Sequence, residues 1–383
     1  MEKKLQSLPI GTYHFEKLRQ RGHLYVDKTA PLVELINAGD WYFLSRPRRF
    51  GKSLTLSTLD AMFRGKAELF HGLAAEDWVA EQAEHPCPVL RLDMSMLDVR
   101  GVDEFEGSLM REMARMAEDS EIEIKSTLPG GVLRDLIIGL YDAGGPVVVL
   151  IDEYDKPILD KIGDLEAAEA MRMALRSFYT VVKACDEYLR FVMLTGISKF
   201  TKVGVFSAMN NLNDISMDRQ YGDVVGYTQA ELERDFAGWI DRAAEAMETT
   251  RAELLERMKD YYDGFCFDGR TRLYNPFSVL RFFSEARFAN YSLFLMLLRG
   301  AGMTAQGEAH TFLGRSDVQV LFPDRTVVLE FKLAQSAGEI ERLRAEGRRQ
   351  IEERGYAKPY DAENRAVTIG VVVIDAQRRQ AAV

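Results

Sequence analysis

No run of apolar residues in this 383-residue chain approaches the roughly 18 needed to cross a bilayer as a helix. That argues against a helical membrane protein. The opening Met1-Glu2-Lys3-Lys4 also lacks the apolar stretch of a secretory leader, so the cytoplasm is the expected location. Cysteine is scarce: Cys87, Cys185 and Cys266 are odd in number and far apart. They give neither a disulfide framework nor a zinc-ligand spacing, and suit free thiols in a reducing compartment. The five histidines, His14, His23, His71, His85 and His310, form no ligand pair at helical spacing. Positive charge is short too: 49 Lys and Arg face 59 Asp and Glu, a net charge of −10. A surface-wide nucleic-acid coat is thereby excluded, while a local basic cleft remains open. Repeats and low-complexity segments are absent. What remains is an ordinary globular composition, 47% hydrophobic and 28% charged, long enough for two or three domains.

Up to about residue 225 short apolar runs alternate with amphipathic stretches, the pattern of a parallel α/β sheet. Trp41 to Leu44, Val147 to Ile151 and Phe191 to Leu194 read as strands, with Val89 to Leu92 a fourth. Their consecutive apolar positions suit strands covered on both faces. From Thr228 to about Phe283 the period becomes helical. Thr228 with Glu231 and Thr250 with Glu253 match capping boxes, as in a helical lid or connector. Ser316 to Phe322 and Thr326 to Phe331 read as strands joined by the turn Pro323-Asp324-Arg325. An amphipathic helix over Ser336 to Arg354 and a buried strand over Ala366 to Ile374 complete a compact αββαβ unit. The expected domains are 1–225, 226–290 and 291–383.

Ser45-Arg46-Pro47-Arg48-Arg49-Phe50-Gly51-Lys52-Ser53 follows a strand and precedes a helix, the context of a phosphate-binding loop. A helix N-terminus presents unpaired N–H groups and a partial positive charge to an anion. Gly51 lets the backbone approach phosphate, Lys52 reaches the β- and γ-phosphates, and the Ser53 hydroxyl ligates Mg2+. Arg46 stands where the motif usually opens with glycine. Arg48 and Arg49 are candidates for further phosphate contacts or for contact with a neighbouring subunit. The competing reading is a basic surface turn with a chance Gly-Lys-Ser. The strand ending in Asp152 and Glu153 carries two acids to the sheet edge where open α/β folds bind ligands. Asp152 is the candidate magnesium ligand and Glu153 the candidate base or water-orienting group, with Asp155 in support. Thr195, at the end of another strand, is a candidate γ-phosphate sensor or an ordinary strand-end residue. Lys199 and Lys202 are candidates for phosphate or partner contacts, or plain solvated charges.

Taken with Tyr25-Val26-Asp27-Lys28-Thr29 and Tyr274-Asn275-Pro276-Phe277-Ser278, these segments resemble a bacterial family of AAA-ATPase-like proteins carrying a PD-(D/E)XK nuclease-like domain. The resemblance covers nearly the whole chain, and the missing first glycine is a trait of that family. It implies an α/β fold: an AAA-like P-loop NTPase sheet with a helical lid, then a small restriction-endonuclease-like αββαβ domain. Between Asn290-Tyr291 and Leu293 to Arg299 the chain is shorter than such proteins usually are. Asp317, then Glu330-Phe331-Lys332, has the spacing of the nuclease metal site. Glu330 and Lys332 point to one face of a strand while Phe331 turns to the core, and hairpin pairing brings Asp317 alongside. Asp317 and Glu330 are then candidate metal ligands, with Glu330 and Lys332 candidate catalytic groups; the competing reading is a half-exposed hairpin with polar residues on its outer face. Glu308, Gln350 and Tyr356 are further site candidates.

The leading function is therefore an ATP-binding and ATP-hydrolysing protein, using Mg2+, coupled to a nuclease-like module acting on DNA or RNA. The alternative is a regulatory NTP switch that binds protein partners and carries an inactive nuclease-like domain. A nucleoside or nucleotide kinase is a third reading, disfavoured because adjacent acids suit water activation. A homo-oligomer is compatible with the class, and no membrane partner is expected.

Overall fold

The computed structural model describes residues 5–161, 164–197, 209, 211–286, 304–311, 314–321, 325–334, 337–353, 366–375 and 380–382. It divides into two compact units, Met1–Ala286 and Arg287–Val383.

The first unit is built on five strands: β1 (Trp41–Ser45), β2 (Val89–Asp93), β3 (Val147–Asp152), β4 (Leu189–Gly196) and β5 (Asn213–Asp214). They pair in parallel in the order β2-β3-β4-β1-β5. β3 is buried along its whole length, which is why its sequence is continuously apolar until the final acid. Successive side chains alternate between faces. Phe43, Val149, Ile151, Val192 and Leu194 therefore enter one core with Leu109 and Met113 of helix Val102–Asp119 and Leu133 and Leu136 of helix Pro129–Gly144. Tyr42 and Phe191 face the other way, where Phe63 of helix Lys52–Phe63 packs 5.2 Å from Phe191. The chain leaves β1 for the far edge and crosses back, so β1 ends between β4 and β5 and a crevice opens beyond the strand ends. β5 has no apolar run to announce it.

Residues 229–285 are mainly helical: Gln229–Asp235, Ala237–Ala246, Arg251–Tyr262 and Pro276–Glu285. Both capping boxes form, at Thr228 with Glu231 and at Thr250 with Glu253. Asn275 caps the last of these helices and Pro276 opens it, where a missing N–H costs nothing. A short hairpin, β6 (Phe265–Cys266) and β7 (Arg272–Leu273), sits between the helices and was not legible as strands.

The second unit holds β8 (Thr304–Thr311), β9 (Gly314–Leu321), β10 (Arg325–Ala334), helix Ile340–Glu353, β11 (Ala366–Asp375) and β12 (Gln380–Ala382). The sheet order is β12-β11-β10-β9-β8, with β10 and β11 parallel and the other pairs antiparallel. The expected strand–strand–helix–strand run is present, and β8 and β12 extend it at the two edges. The helix expected ahead of the hairpin falls at 287–303, outside the described residues. Val328, Val371 and Val373 form a small core with Ile340 and Leu343 of the helix.

Candidate functional site

The loop from Arg46 to Gly51 turns between β1 and its helix through two left-handed residues, Arg49 (φ 65°) and Gly51 (φ 104°). For arginine that conformation costs about 1 kcal/mol, so neighbouring contacts must hold it. Phe50 supplies one. Its ring is fully buried, edge-on to Phe265 at 4.9 Å and Phe267 at 5.4 Å, and its carbonyl accepts the Gly226 N–H at 3.2 Å. A Cβ on Gly226 (φ 85°) would lie 2.8 Å from that ring, so only glycine fits. Arg46 supplies another contact. Its N–H donates to the Gly196 carbonyl at 3.1 Å, and its Nη1 donates to the carbonyls of Ser45 at 2.9 Å and Ser216 at 2.6 Å. The guanidinium lies 4.2 Å from the Phe267 ring centre, and burial pulls its pKa down to about 10. The residue replacing the usual first glycine is thus a buried bolt between the loop, the sheet and the β6–β7 hairpin.

Lys52 opens the helix and is 4% exposed. Its Nζ donates to the loop carbonyls of Arg46 at 2.9 Å and Pro47 at 3.2 Å. Burial pushes the ammonium below its usual range, and the charges of Glu153, Asp152 and Asp155 oppose that. Asp152 is buried, and its Oδ1 accepts from the Thr195 hydroxyl at 2.5 Å and from the Glu153 N–H at 3.0 Å. Glu153 takes a left-handed backbone (φ 51°) just beyond the strand end. Its Oε2 is buried and has no hydrogen-bond partner. Burial raises its carboxyl above the ordinary range, with Lys52 pulling the other way. Asp155 accepts the Ile197 N–H at 2.9 Å and ties the end of β4 to the segment after β3. Ser53 is half-buried in the first turn of the helix. Arg48 is half-buried; Arg49 is exposed, its guanidinium 3.9 Å from the Phe277 ring centre. Lys199 and Lys202 lie outside the described residues.

The candidates around residues 46–53, 152–155 and 195 therefore converge at one end of the sheet. A helix N-terminus with a buried ammonium suits a polyphosphate. Asp152 and Ser53 offer the hard oxygens that magnesium prefers, and the buried, acceptor-only Asp152 fits such an ion. A cavity beside Gly51, Leu54 and Thr55 is walled by Tyr25, Val225 and Pro276 and is mostly apolar.

In the second unit Glu330 is 3% exposed in the middle of β10. Lys332 Nζ lies 3.4 Å from Glu330 Oε1 and donates to Gln350 Oε1 at 2.5 Å, and Gln350 Nε2 donates to Glu330 Oε1. Helix Ile340–Glu353 covers the face bearing Val328, Glu330 and Lys332, so Glu330 is more deeply buried than half-buried Phe331. β9 pairs with β10 as far as Val318 with Leu329, the step before Asp317 and Glu330. The side chains of Asp317 and Glu308, and all of Tyr356, lie outside the described residues. Among the described residues no group of three or more His, Cys, Asp or Glu gathers at one point.

Sequence reasoning missed the anchoring roles of Arg46, Phe50 and Gly226, and the partner of Lys28. Lys28 Nζ meets Glu231, 203 positions later, at 2.6 Å. Local pattern carries no sign of such a pair.

A family model described as a predicted AAA-ATPase matches residues 9–206, and the chain belongs to that family. A second model, described as the PD-(D/E)XK nuclease superfamily, matches residues 287–382. Among curated relatives, an uncharacterized protein in the vnfD 5′ region of Azotobacter chroococcum mcd 1 is 39% identical over 291 residues. The match covers 75% of this chain and 53% of that protein, so the chain spans about half the relative's length. Among solved structures, the Aeropyrum pernix ORC1 protein in complex with DNA matches 71% of this chain and 65% of its own, at 8% identity and a TM-score of 0.31. So slight a likeness says nothing about what this chain binds. No helix among the described residues is long and apolar enough to cross a membrane.

Proposed function

We propose that the chain binds and hydrolyses ATP at the β1–β3–β4 end of the first unit, and that this turnover serves a nuclease-like module acting on DNA or RNA. The observation that carries the reading is the burial of Lys52 at a helix N-terminus, with its ammonium on loop carbonyls and within the field of Glu153 and Asp152. Lys52 and the Gly51–Ser53 backbone hold the phosphates, and the adjoining apolar cavity takes the base. Ser53 and Asp152 would hold a magnesium ion, whose chemistry would be to neutralise charge on the phosphates. Thr195 holds Asp152 in orientation through its 2.5 Å hydrogen bond. Glu153, with a raised pKa and an unpartnered oxygen, takes a proton from the attacking water. Arg48 and Arg49 would add phosphate contacts, Arg49 by leaving the face of Phe277.

In the second unit Glu330 and Asp317 would hold a divalent cation, whose chemistry is to polarise the scissile phosphate and activate water. Glu330 fits that part: it is buried, acceptor-only and fixed by Gln350 and Lys332. Lys332 stabilises developing negative charge. The protein is expected in the cytoplasm, and an oligomer is compatible with the class. The test is magnesium-dependent ATP hydrolysis by wild type, Lys52→Ala and Glu153→Gln, with and without nucleic acid. Loss in both variants supports the ATPase. No turnover and no ATP binding by wild type overturns it, and nucleic-acid cleavage absent from active ATPase favours the switch reading instead.

A further inference from the structure

The segment Tyr25-Val26-Asp27-Lys28-Thr29 works in two directions. Asp27 and Thr29 are structural staples. Asp27 Oδ1 accepts from the Thr29 N–H at 2.8 Å and its hydroxyl at 2.7 Å, Asp27 Oδ2 accepts the Ala74 N–H at 2.8 Å, and Thr29 Oγ1 accepts the Ala75 N–H at 3.0 Å. Lys28 points elsewhere. It is buried, its Nζ lies 2.6 Å from both oxygens of Glu231, and Glu231 Oε2 also accepts the Thr228 N–H at 2.8 Å and its hydroxyl at 3.0 Å. The carboxylate is saturated, whereas an ammonium has three N–H groups and two suffice for Glu231.

Lys28 also lines the cavity next to Gly51, and it is the one charged side chain in that wall among the described residues. Two of the other polar side chains there are engaged: the Thr55 hydroxyl donates to the Gly51 carbonyl at 3.1 Å, and the Tyr25 phenol bonds the Thr58 side chain. As a mere clasp the pair would contribute little, because both side chains are nearly dry, with 11% and 13% exposure. Desolvation at that depth offsets most of their attraction. A cation held rigidly at the wall of a mostly apolar pocket is instead what fixes the orientation of a flat polar ligand.

We propose that Lys28 is the base-contacting residue of the nucleotide site. It donates its remaining N–H to a ring-nitrogen or carbonyl acceptor on the base, and Glu231 is its positioning partner from the helical region. The inference rests on the reading of the cleft as a nucleoside triphosphate site. It differs from that reading in assigning the base end, which phosphate-loop residues do not touch.

The experiment measures binding of Mg-ATP and of magnesium with inorganic tripolyphosphate, which has no base, to the full chain by calorimetry. Lys28→Met is expected to weaken ATP about tenfold or more, as loss of a charge-assisted hydrogen bond should, and to leave tripolyphosphate within about twofold. Retained tripolyphosphate binding also shows that the variant is folded. Should the unpaired Glu231 prevent folding, the double variant Lys28→Met/Glu231→Met removes both charges together and is expected to show the same ATP-selective loss. Equal loss of both ligands, or no loss of either, overturns the base contact. Wild type binding the two ligands equally tightly overturns the base contact and spares the phosphate site. Wild type binding neither overturns the nucleotide site and the base contact with it.

Discussion

Both units place a lysine near carboxylates, and they do it in opposite ways. At the nucleotide site Lys52 comes from a loop–helix junction and the acids from the end of β3, and the ammonium rests on the carbonyls of Arg46 and Pro47. Among the described residues no carboxylate lies within ion-pair distance of it. In the second unit Glu330 and Lys332 share one face of β10, stand 3.4 Å apart and are bridged by Gln350. The first arrangement leaves the ammonium on neutral carbonyl contacts, which an incoming anion could replace. The second is already closed on itself through Gln350. On the proposed function, the loop-borne lysine would serve binding and the strand-borne pair orientation.

The largest effects should come from removing either lysine–acid centre, and they should not cross over. Lys52→Ala is predicted to lower ATP hydrolysis by roughly 100-fold or more, through loss of charge stabilisation at the phosphates, with any metal-dependent cleavage retained. Glu330→Ala is predicted to reduce metal-dependent nucleic-acid cleavage by a similar factor of about 100, while ATP hydrolysis stays unchanged. A steady-state ATPase assay beside a nuclease assay reads both, and a shared loss would break the comparison.

Next in size is Phe50→Ala. Truncating a fully buried ring should destabilise the first unit by about 3–5 kcal/mol, read as a lowered denaturation midpoint. ATP binding should fall with it, because Phe50 holds the loop against Phe265 and Phe267.

The pH profile sharpens the contrast further. Burial raises the Glu153 carboxyl above its ordinary 4.5, so the base is protonated, and hydrolysis lost, at a higher pH than an exposed glutamate would give. Activity should therefore rise with pH through that raised value, and the acid limb should vanish in the residual activity of Glu153→Gln. The same sign makes Glu153 a stabiliser of the fold when protonated, with that contribution lost as pH rises through its folded-state pKa. The smallest effect is expected from Gln350→Leu. It removes the bridge but neither charge, so cleavage should drop by only about three- to tenfold, consistent with losing one hydrogen-bonded support. No change would mean that Glu330 and Lys332 orient each other unaided.

Much of the candidate nucleotide site was legible because its parts are local. A strand, a Gly-Lys-Ser and a helix follow one another within Trp41 to Phe63, and an apolar run ending in Asp152-Glu153 is a pattern in itself. The capping boxes at Thr228 and Thr250 were equally local. The hairpin β6–β7 and the two-residue β5 were not, since Asn213–Asp214 and Phe265–Cys266 are too short to carry a period. Glu330 was legible as a candidate site residue from its spacing to Lys332. Its depth was not, because the face of β10 that becomes covered is chosen by the helix of Gln350.

The amino-acid sequence by itself determined three candidate features: a loop suited to phosphate, a strand ending in two acids, and a carboxylate–lysine strand. Those depend on residue type and short-range spacing, which the backbone geometry of strands and helices fixes. Tertiary structure alone decided what holds them. Arg46 became a buried bolt on Phe267, Thr195 a hydrogen-bond partner of Asp152, and Lys28 a partner of Glu231, contacts spanning between 43 and 221 positions of chain. Such pairings arise from how sheet, loop and helices pack, and burial then lowers the pKa of Arg46 and Lys52 and raises that of Glu153 in ways no local pattern encodes.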